Sequence, residues 1–390
     1  MPHLHTVGPN RLLRSFLLNL LLLKNGLTAP PSSAILTLPS TTELNDYLSS
    51  AERHSVVATI RDVATLARVS TATVSHVLNE TRPVSEVLRD RVQIAMKQLS
   101  YQPDAVARSL RCRETLTLGL FVPSLEIPFY AWIADSVEAA AHAAGYNIIL
   151  CSAGWSLARE LAAIDELMAR RVDGMVCISI AARAEHVWPV LRRGTPVVWL
   201  ERTMPGIELD AVFVDNFKGA YDATRHLIEL GHKQIGCIMG LTDSQLSDER
   251  VGGYRQALAD AGLPFDPGLL QRGDYMPPSG YAGAEALLAR PDRPTAIFAF
   301  NDLMAMGALQ AIHRLGLRVP DDVAVIGFDG VALAEHTSPP LSTIEQPVPA
   351  MGENVIKLLL DRINGDAPKQ GRTVVAEPRL IVRASTVGYG

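Results

Sequence analysis

Thr71, Ala72, Thr73, Ser75 and His76 fall within six consecutive residues. At helical spacing they share the outer surface of one helix, while Val74, Val77 and Leu78 point the other way. Short hydroxyls, methyls and an imidazole on such a surface suit contacts with base edges in a DNA major groove. A second set lies far downstream. Arg250 stands in Asp248-Glu-Arg-Val-Gly-Gly-Tyr254, Asn301 opens Asn-Asp-Leu-Met-Ala-Met-Gly307, and Asp329 ends Val325-Ile-Gly-Phe-Asp329. Asn301, Asp302 and Asp329 each follow an apolar run, which places them at carboxyl ends of strands, where α/β folds gather ligand groups. A guanidinium, an amide and a carboxylate there can serve vicinal hydroxyls in pairs.

These residues need two kinds of scaffold. Thr59 to Ala67 reads as a helix with Thr59 and Asp62 as a reciprocal cap. A break at Arg68-Val69 precedes a second helix, capped by Ser70 and running to about Leu78. Ser85 is read as the cap of a third helix to about Leu99, with Leu88, Val92, Ala95 and Leu99 as its inward stripe. Two short helices joined by a tight turn, with a third behind them, form a helix-turn-helix unit. From Leu118 the pattern changes to apolar runs alternating with helical stretches. Examples of the runs are Asn147–Cys151, Gly174–Ile178, Ile235–Met239, Ala296–Phe300 and Val323–Phe328. Continuous apolar strands with intervening helices predict parallel sheets covered on both faces. The length of this region predicts two α/β lobes with a cleft between them.

The charge is unevenly spread. Residues 58–113 hold nine Arg or Lys against five Asp or Glu, whereas residues 114–390 hold 23 against 33. A small basic block before a large acidic body fits a DNA reader joined to another function. Cys112, Cys151, Cys177 and Cys237 form no Cys-x-x-Cys pair and read as reduced thiols, without metal. Residues 1–57 carry Arg11 and Arg14 before an apolar run from Phe16 to Leu23. That run is too short for a membrane helix. The segment is read as disordered or as a mis-assigned N-terminal extension, with Val56 or Val57 as the alternative start.

Thr59 to Asn79, followed by Tyr101-Gln-Pro-Asp-Ala-Val-Ala-Arg-Ser-Leu110, resembles the DNA-reading motif and hinge of the LacI/GalR family of transcriptional regulators. The resemblance runs from about residue 58 to 386. It implies a small all-α helix-turn-helix domain at 58–102, a hinge helix at 103–113, and a two-lobed α/β effector-binding and dimerisation domain at 114–390. The lobes would be of the periplasmic sugar-binding-protein type. By the same resemblance Thr71, Ala72 and His76 touch bases, and Thr59, Ser70, Thr73, Ser75 and Asn79 hold phosphates or the helix start. Leu110 would wedge into a minor-groove step, with Arg108 and Arg111 on flanking phosphates. In the body, Arg250, Asn301 and Asp329 match effector-binding positions, and Phe129, Tyr130 and Tyr275 match pocket-lining ones. The purine-responsive branch carries an arginine where this chain has Ser244, and it lacks an asparagine at Asn301. Arg202 would add a second cation, which favours an acidic sugar or sugar acid.

The expected function is therefore repression of carbohydrate-utilisation genes by a cytoplasmic homodimer on a near-palindromic operator, released or tightened by a small effector. A purine-responsive repressor is the alternative, and an exported sugar-binding protein the remote one. No phosphate-binding Gly-rich loop, nucleophile elbow or paired-carboxylate arrangement is evident, so no enzyme and no cofactor are expected. Asp302 is read as a helix cap rather than a ligand contact.

Overall fold

A computed structural model describes residues 58–79, 82–101, 114–178, 188–201, 209–241 and 245–388. The chain forms two compact units, one within residues 1–103 and one within 104–390. The expectations for residues 1–57 and for the hinge at 103–113 lie outside the described residues.

The first unit contains α1 (Ile60–Ala67), α2 (Thr71–Asn79) and α3 (Glu86–Gln98). The Thr59 backbone N–H donates to Asp62 Oδ2 at 2.8 Å, and the Asp62 N–H donates to Thr59 Oγ1 at 3.4 Å. Both ends of the reciprocal cap are therefore in place. Arg68, at φ 52°, ends α1 in the left-handed region. Arg91 of α3 secures this turn by donating to the carbonyls of Ala67 and Arg68 at 2.6 and 3.1 Å. Ser70 Oγ accepts from the Thr73 N–H at 3.0 Å and starts α2. Ser85 precedes α3, but its side chain makes no capping bond. Its backbone carbonyl accepts the N–H groups of Leu88 and Arg89, both at 3.0 Å, and so starts the helix. Val63, Val74 and Val92, one from each helix, are fully buried at the centre. Leu88 and Leu99, expected on the inward stripe, are half-buried.

The second unit has two lobes. Lobe 1 is a parallel sheet of β1 (Thr117–Val122), β2 (Asn147–Ser152), β3 (Gly174–Cys177), β4 (Val197–Leu200), β5 (Asp210–Val214) and β11 (Thr373–Ala376). Its order is β11-β5-β4-β3-β1-β2. Its helices are α4 (Pro128–Ala143), α5 (Leu157–Ala169), α6 (Trp188–Arg192) and α11 (Val348–Asn364). Lobe 2 has β6 (Ile235–Met239), β7 (Leu270–Arg272), β8 (Ala296–Ala299), β9 (Ala324–Asp329), β10 (Ser342–Glu345) and β12 (Arg379–Ile381). Its order is β12-β10-β9-β8-β6-β7, parallel except for the antiparallel β10–β12 pair. Its helices are α7 (Asn216–Glu229), α8 (Gln245–Asp260), α9 (Pro277–Leu288), α10 (Asp302–Arg314) and α12 (Ala384–Val387). β3, β4, β8 and β9 are buried along their whole length, as continuous apolar runs between helix layers require.

Among the described residues the chain passes between the lobes three times, after β5, after β10 and after β11. Asp215 N–H donates to the Ala376 carbonyl at 3.1 Å, which ties the first crossing to the end of β11. The second crossing sends α11 back onto lobe 1. There Arg362 and, beyond it, Arg372 each hold the buried Asp210 carboxylate, at 2.7 and 2.6 Å. Burial alone would raise the Asp210 pKa, but the hydrogen bonds from Arg362 and Arg372 prevail and bring it down to about 2.

Candidate functional site

On the recognition helix, Thr71 and Ala72 are exposed, while Thr73, Ser75 and His76 are half-buried. Thr73 Oγ1 lies 2.9 Å from Ser70 Oγ, and the Thr59 hydroxyl donates to Asp62 at 2.7 Å. The hydroxyls of Thr59, Ser70 and Thr73 are thus engaged in helix starts. Val74 and Val77 anchor the opposite side of α2 in the core. The side chain of Asn79, together with Arg108, Leu110 and Arg111, lies outside the described residues.

The second site is a cavity between the lobes of the body. Lobe 1 contributes Ile127, Phe129, Tyr130 and Glu201; lobe 2 contributes Leu246, Arg250, Tyr275, Asn301 and Asp329. Five of the expected effector residues other than Asn301 were Phe129, Tyr130, Arg250, Tyr275 and Asp329, and the fold brings all six to one cavity. Arg202 and Ser244 lie outside the described residues.

Strand ends and helix starts place these groups. Asp329 is the last residue of β9, with its backbone at φ 110°. Glu201 follows β4 at φ 76°, and Tyr275 follows β7 at φ 68°. Three side chains of this pocket therefore leave left-handed backbone, which a non-glycine residue adopts only when its surroundings impose it. The Tyr275 ring lies against Gly240, where a β-carbon would overlap the phenol. Its hydroxyl lies 3.1 Å from Ser247 Oγ, and its carbonyl accepts from Asn301 Nδ2 at 2.9 Å.

Arg250 is almost wholly buried. Its Nε donates to Asn216 Oδ1 at 2.9 Å, a terminal nitrogen donates to the Phe300 carbonyl, and its guanidinium sits 3.7 Å from the Phe328 ring centre. The other terminal nitrogen faces Asp329 Oδ1 at 3.9 Å. That is beyond a hydrogen bond, so both groups retain capacity toward the cavity. Burial raises the Asp329 pKa well above the usual carboxylate range, and Arg250 only partly opposes this. Gln346 Nε2 donates to Asp329 Oδ1 at 2.9 Å.

The helix start at α10 corrects one expectation. Asn301, not Asp302, is the side-chain cap: its Oδ1 accepts from the Met304 N–H at 2.9 Å. Asp302 turns inward beneath the pocket, accepting from the Val331 N–H at 2.8 Å and from Thr343 Oγ1 at 2.5 Å. Complete burial drives its pKa up to about 7 against those hydrogen bonds. The cap geometry selects Asn301 because it alone precedes the first helical residue in extended backbone, at φ −151°.

Ile127, Glu201 and Leu246 line the cavity but are not among the expected site residues, and neither is Trp155, which packs on two of the lining rings. Trp155 follows β2 and stacks on Tyr275, while Tyr130 meets the Trp155 ring edge-on at 6.2 Å. The Gly154-Trp155 pair directly after an apolar strand was its only sequence signal.

A three-helix unit with a reciprocal cap and an exposed recognition surface, and a two-lobed body with a polar, aromatic-lined cleft, define a ligand-binding regulator of the DNA-reading class. The chain belongs to the lacI family and is a DNA-binding transcriptional repressor. Residues 59–104 match the family described as "Bacterial regulatory proteins, lacI family", and residues 224–386 match "Periplasmic binding protein-like domain". The chain is 38% identical over 335 residues to the HTH-type transcriptional repressor PurR of Aliivibrio fischeri strain MJ11, covering 85% of this chain and 99% of that protein. It is 39% identical over 332 residues to the PurR of Pectobacterium carotovorum subsp. carotovorum, covering 84% of this chain and 97% of that one. Among solved structures it is similar to a transcriptional regulator CelR–cellobiose complex, with TM-score 0.65, 37% identity, and coverage of 84% and 99%. It is also similar to the lac repressor dimer bound to operator and the anti-inducer ONPF, with TM-score 0.76, 28% identity, and coverage of 85% and 99%. Members of this family are regulators rather than enzymes. No described helix is long and apolar enough to cross a membrane.

Proposed function

We propose that this repressor controls carbohydrate-utilisation genes from a near-palindromic operator, as a cytoplasmic homodimer, and that a sugar in the cleft sets its grip on DNA. The observation that carries the reading is the pairing of Arg250 with Asp329 at 3.9 Å on the cavity floor. A donor and an acceptor at that spacing fit adjacent hydroxyls of one sugar ring. Glu201 adds a further carboxylate from the other lobe, and the rings of Phe129, Tyr130 and Tyr275 offer apolar faces for stacking. The described lining residues hold two acidic side chains, Glu201 and Asp329, and one guanidinium, which disfavours an anionic ligand and so favours a neutral sugar over a sugar acid. The relative solved with cellobiose agrees with this class.

A second reading is a purine effector. The relatives named PurR favour it, and a flat base would also stack on the aromatic walls. By the resemblance, the bases would be read by Thr71, Ala72 and His76, with Leu110 wedging the operator centre.

Calorimetric titration of the full-length protein with cellobiose, glucose, glucuronate, hypoxanthine and guanine tests the effector. The sugar reading expects a neutral sugar to bind the wild type and to lose at least tenfold in affinity in Asp329→Asn, about 1.4 kcal/mol. Binding of a purine alone would overturn it.

A further inference from the structure

Two of the three chain crossings between the lobes are each bonded to a polar side chain of the effector cavity, Arg250 or Asp329. Asn216 is the first residue of α7, immediately after the crossing from β5. It is buried, its Nδ2 donates to the Val214 carbonyl at 3.2 Å, and its Oδ1 accepts from Arg250 Nε at 2.9 Å. Gln346 follows β10 at the crossing into α11. It is wholly buried, its N–H donates to the Asp329 carbonyl at 3.2 Å, and its Nε2 donates to Asp329 Oδ1 at 2.9 Å. Gln346 Oε1 is buried without a hydrogen-bond partner. Such an orphaned acceptor is costly and marks a place where another arrangement satisfies the group better.

We infer that Asn216 and Gln346 are positioning residues that convert occupancy of the cavity into a change of lobe orientation. The inference rests on the reading of Arg250 and Asp329 as effector contacts. A ligand that engages these two side chains competes with, or re-aims, the bonds that join them to the crossings. The crossings are where backbone rotation turns one lobe against the other. Because Asn216 reports from Arg250 and Gln346 from Asp329, a ligand must engage both side chains to move both crossings together. A ligand can shift the lobes only through such a difference in contacts between the two orientations. The third crossing follows passively through the bond from Asp215 to Ala376.

The test uses the full-length chain with Gln346→Met, Asn216→Ala and Asn216→Asp. Spin labels at Asp165 of α5 and Glu285 of α9, both exposed, report the distance between lobes by pulsed electron resonance. Non-cysteine label chemistry avoids the four native thiols, and labelled chain is diluted into unlabelled protein. In effector-free protein, Gln346→Met and Asn216→Ala are expected to shift or broaden the distance distribution while still melting cooperatively. Asn216→Asp retains the acceptor for Arg250 but loses the donor to the Val214 carbonyl, and is expected to depart from the wild-type distribution less than Asn216→Ala. Distributions identical to wild type in both disrupting variants overturn the proposal.

A second arm uses cellobiose and hypoxanthine as probes. For a probe that binds the wild type, Gln346→Met is expected to keep its affinity within roughly threefold yet lose about tenfold of the change it causes in operator affinity. Equal loss of binding and coupling overturns the positioning role. If neither probe binds the wild type, the effector reading fails, while the ligand-free distances still decide this inference.

Discussion

Trp155 and Tyr275 stack nearly parallel, with ring centres 6.4 Å apart and planes inclined by 13°, and they belong to opposite lobes. Trp155 is carried by the turn after β2 and Tyr275 by the turn after β7, the edge strands on the same side of the two sheets. Gly154 and Trp155 both adopt left-handed backbone, at φ 56° and 59°, which aims the indole across the cleft. Of the two rings, Tyr275 lines the cavity that holds Arg250 and Asp329, and Trp155 braces it.

Replacing Trp155 with leucine keeps apolar bulk and removes the stack. The stability of the body is expected to fall by about 1 kcal/mol, the worth of an aromatic pair beyond its buried area. Urea unfolding followed by circular dichroism measures it. A variant as stable as wild type would show that the rings merely touch.

Gly240→Ala is expected to damage the pocket more than the fold. The added methyl would overlap the phenol of Tyr275, so that ring must leave its place above Ser247. Effector affinity should fall at least tenfold, about 1.4 kcal/mol, while the helix-turn-helix unit keeps its operator contacts. Titration of both ligands on the same preparation separates these effects.

Asp302 and Asp210 give opposite pH signs. Burial raises the Asp302 pKa to about 7, so the folded state holds a proton that the unfolded state releases near the usual carboxylate value. Its contribution therefore weakens stability as pH rises from about 4 to 7 and is constant above that. Asp302→Asn is expected to flatten this part of the stability–pH curve. Asp210, held down to about 2 by its arginines, stabilises fully above the unfolded carboxylate value, and this is lost as pH falls toward 2. Asp210→Asn is expected to destabilise at neutral pH by about 3–5 kcal/mol, because Arg362 and Arg372 lose their common partner. Denaturant melts across pH 3–8 check both.

For the DNA-reading surface, Thr71→Val and His76→Ala are each expected to weaken specific operator binding by about 1–3 kcal/mol and to leave non-specific binding nearly unchanged. Thr59→Ala acts differently. It removes a cap worth about 1 kcal/mol and should lower the melting temperature of the unit. Anisotropy titrations at two salt concentrations distinguish lost base contacts from lost phosphate contacts.

What was legible in the chain depended on whether the signal was local. Thr59, Asp62 and Ser70 could be placed because a cap acts over three residues. The buried strands β3, β8 and β9 were visible as unbroken apolar runs. β7 and β10 were not: β7 is three residues long and only partly buried, and β10 reads Ser-Thr-Ile-Glu, with little apolar pattern. Arg250, Asn301 and Asp329 stood out through strand-end position and family resemblance. Trp155, Asn216 and Gln346 did not, since their partners Tyr275, Arg250 and Asp329 are 120, 34 and 17 residues away. The Asn301–Asp302 pair shows the limit most directly, because either side chain could cap and only the backbone angle at Asn301 decides.

The three crossings interleave the lobes along the chain. Lobe 1 is completed by α11 and β11, and lobe 2 by β12 and α12, which follow one another in the last part of the sequence. Neither lobe is an uninterrupted stretch of polypeptide, so neither can be excised by choosing two cut points. During synthesis, the first sheet must wait for β11 long after β1 to β5 have emerged, and Asp210 stays without Arg362 and Arg372 throughout that interval. A ribosome stalled before residue 348 would therefore expose an incomplete first lobe beside a second lobe lacking only its final strand and short helix.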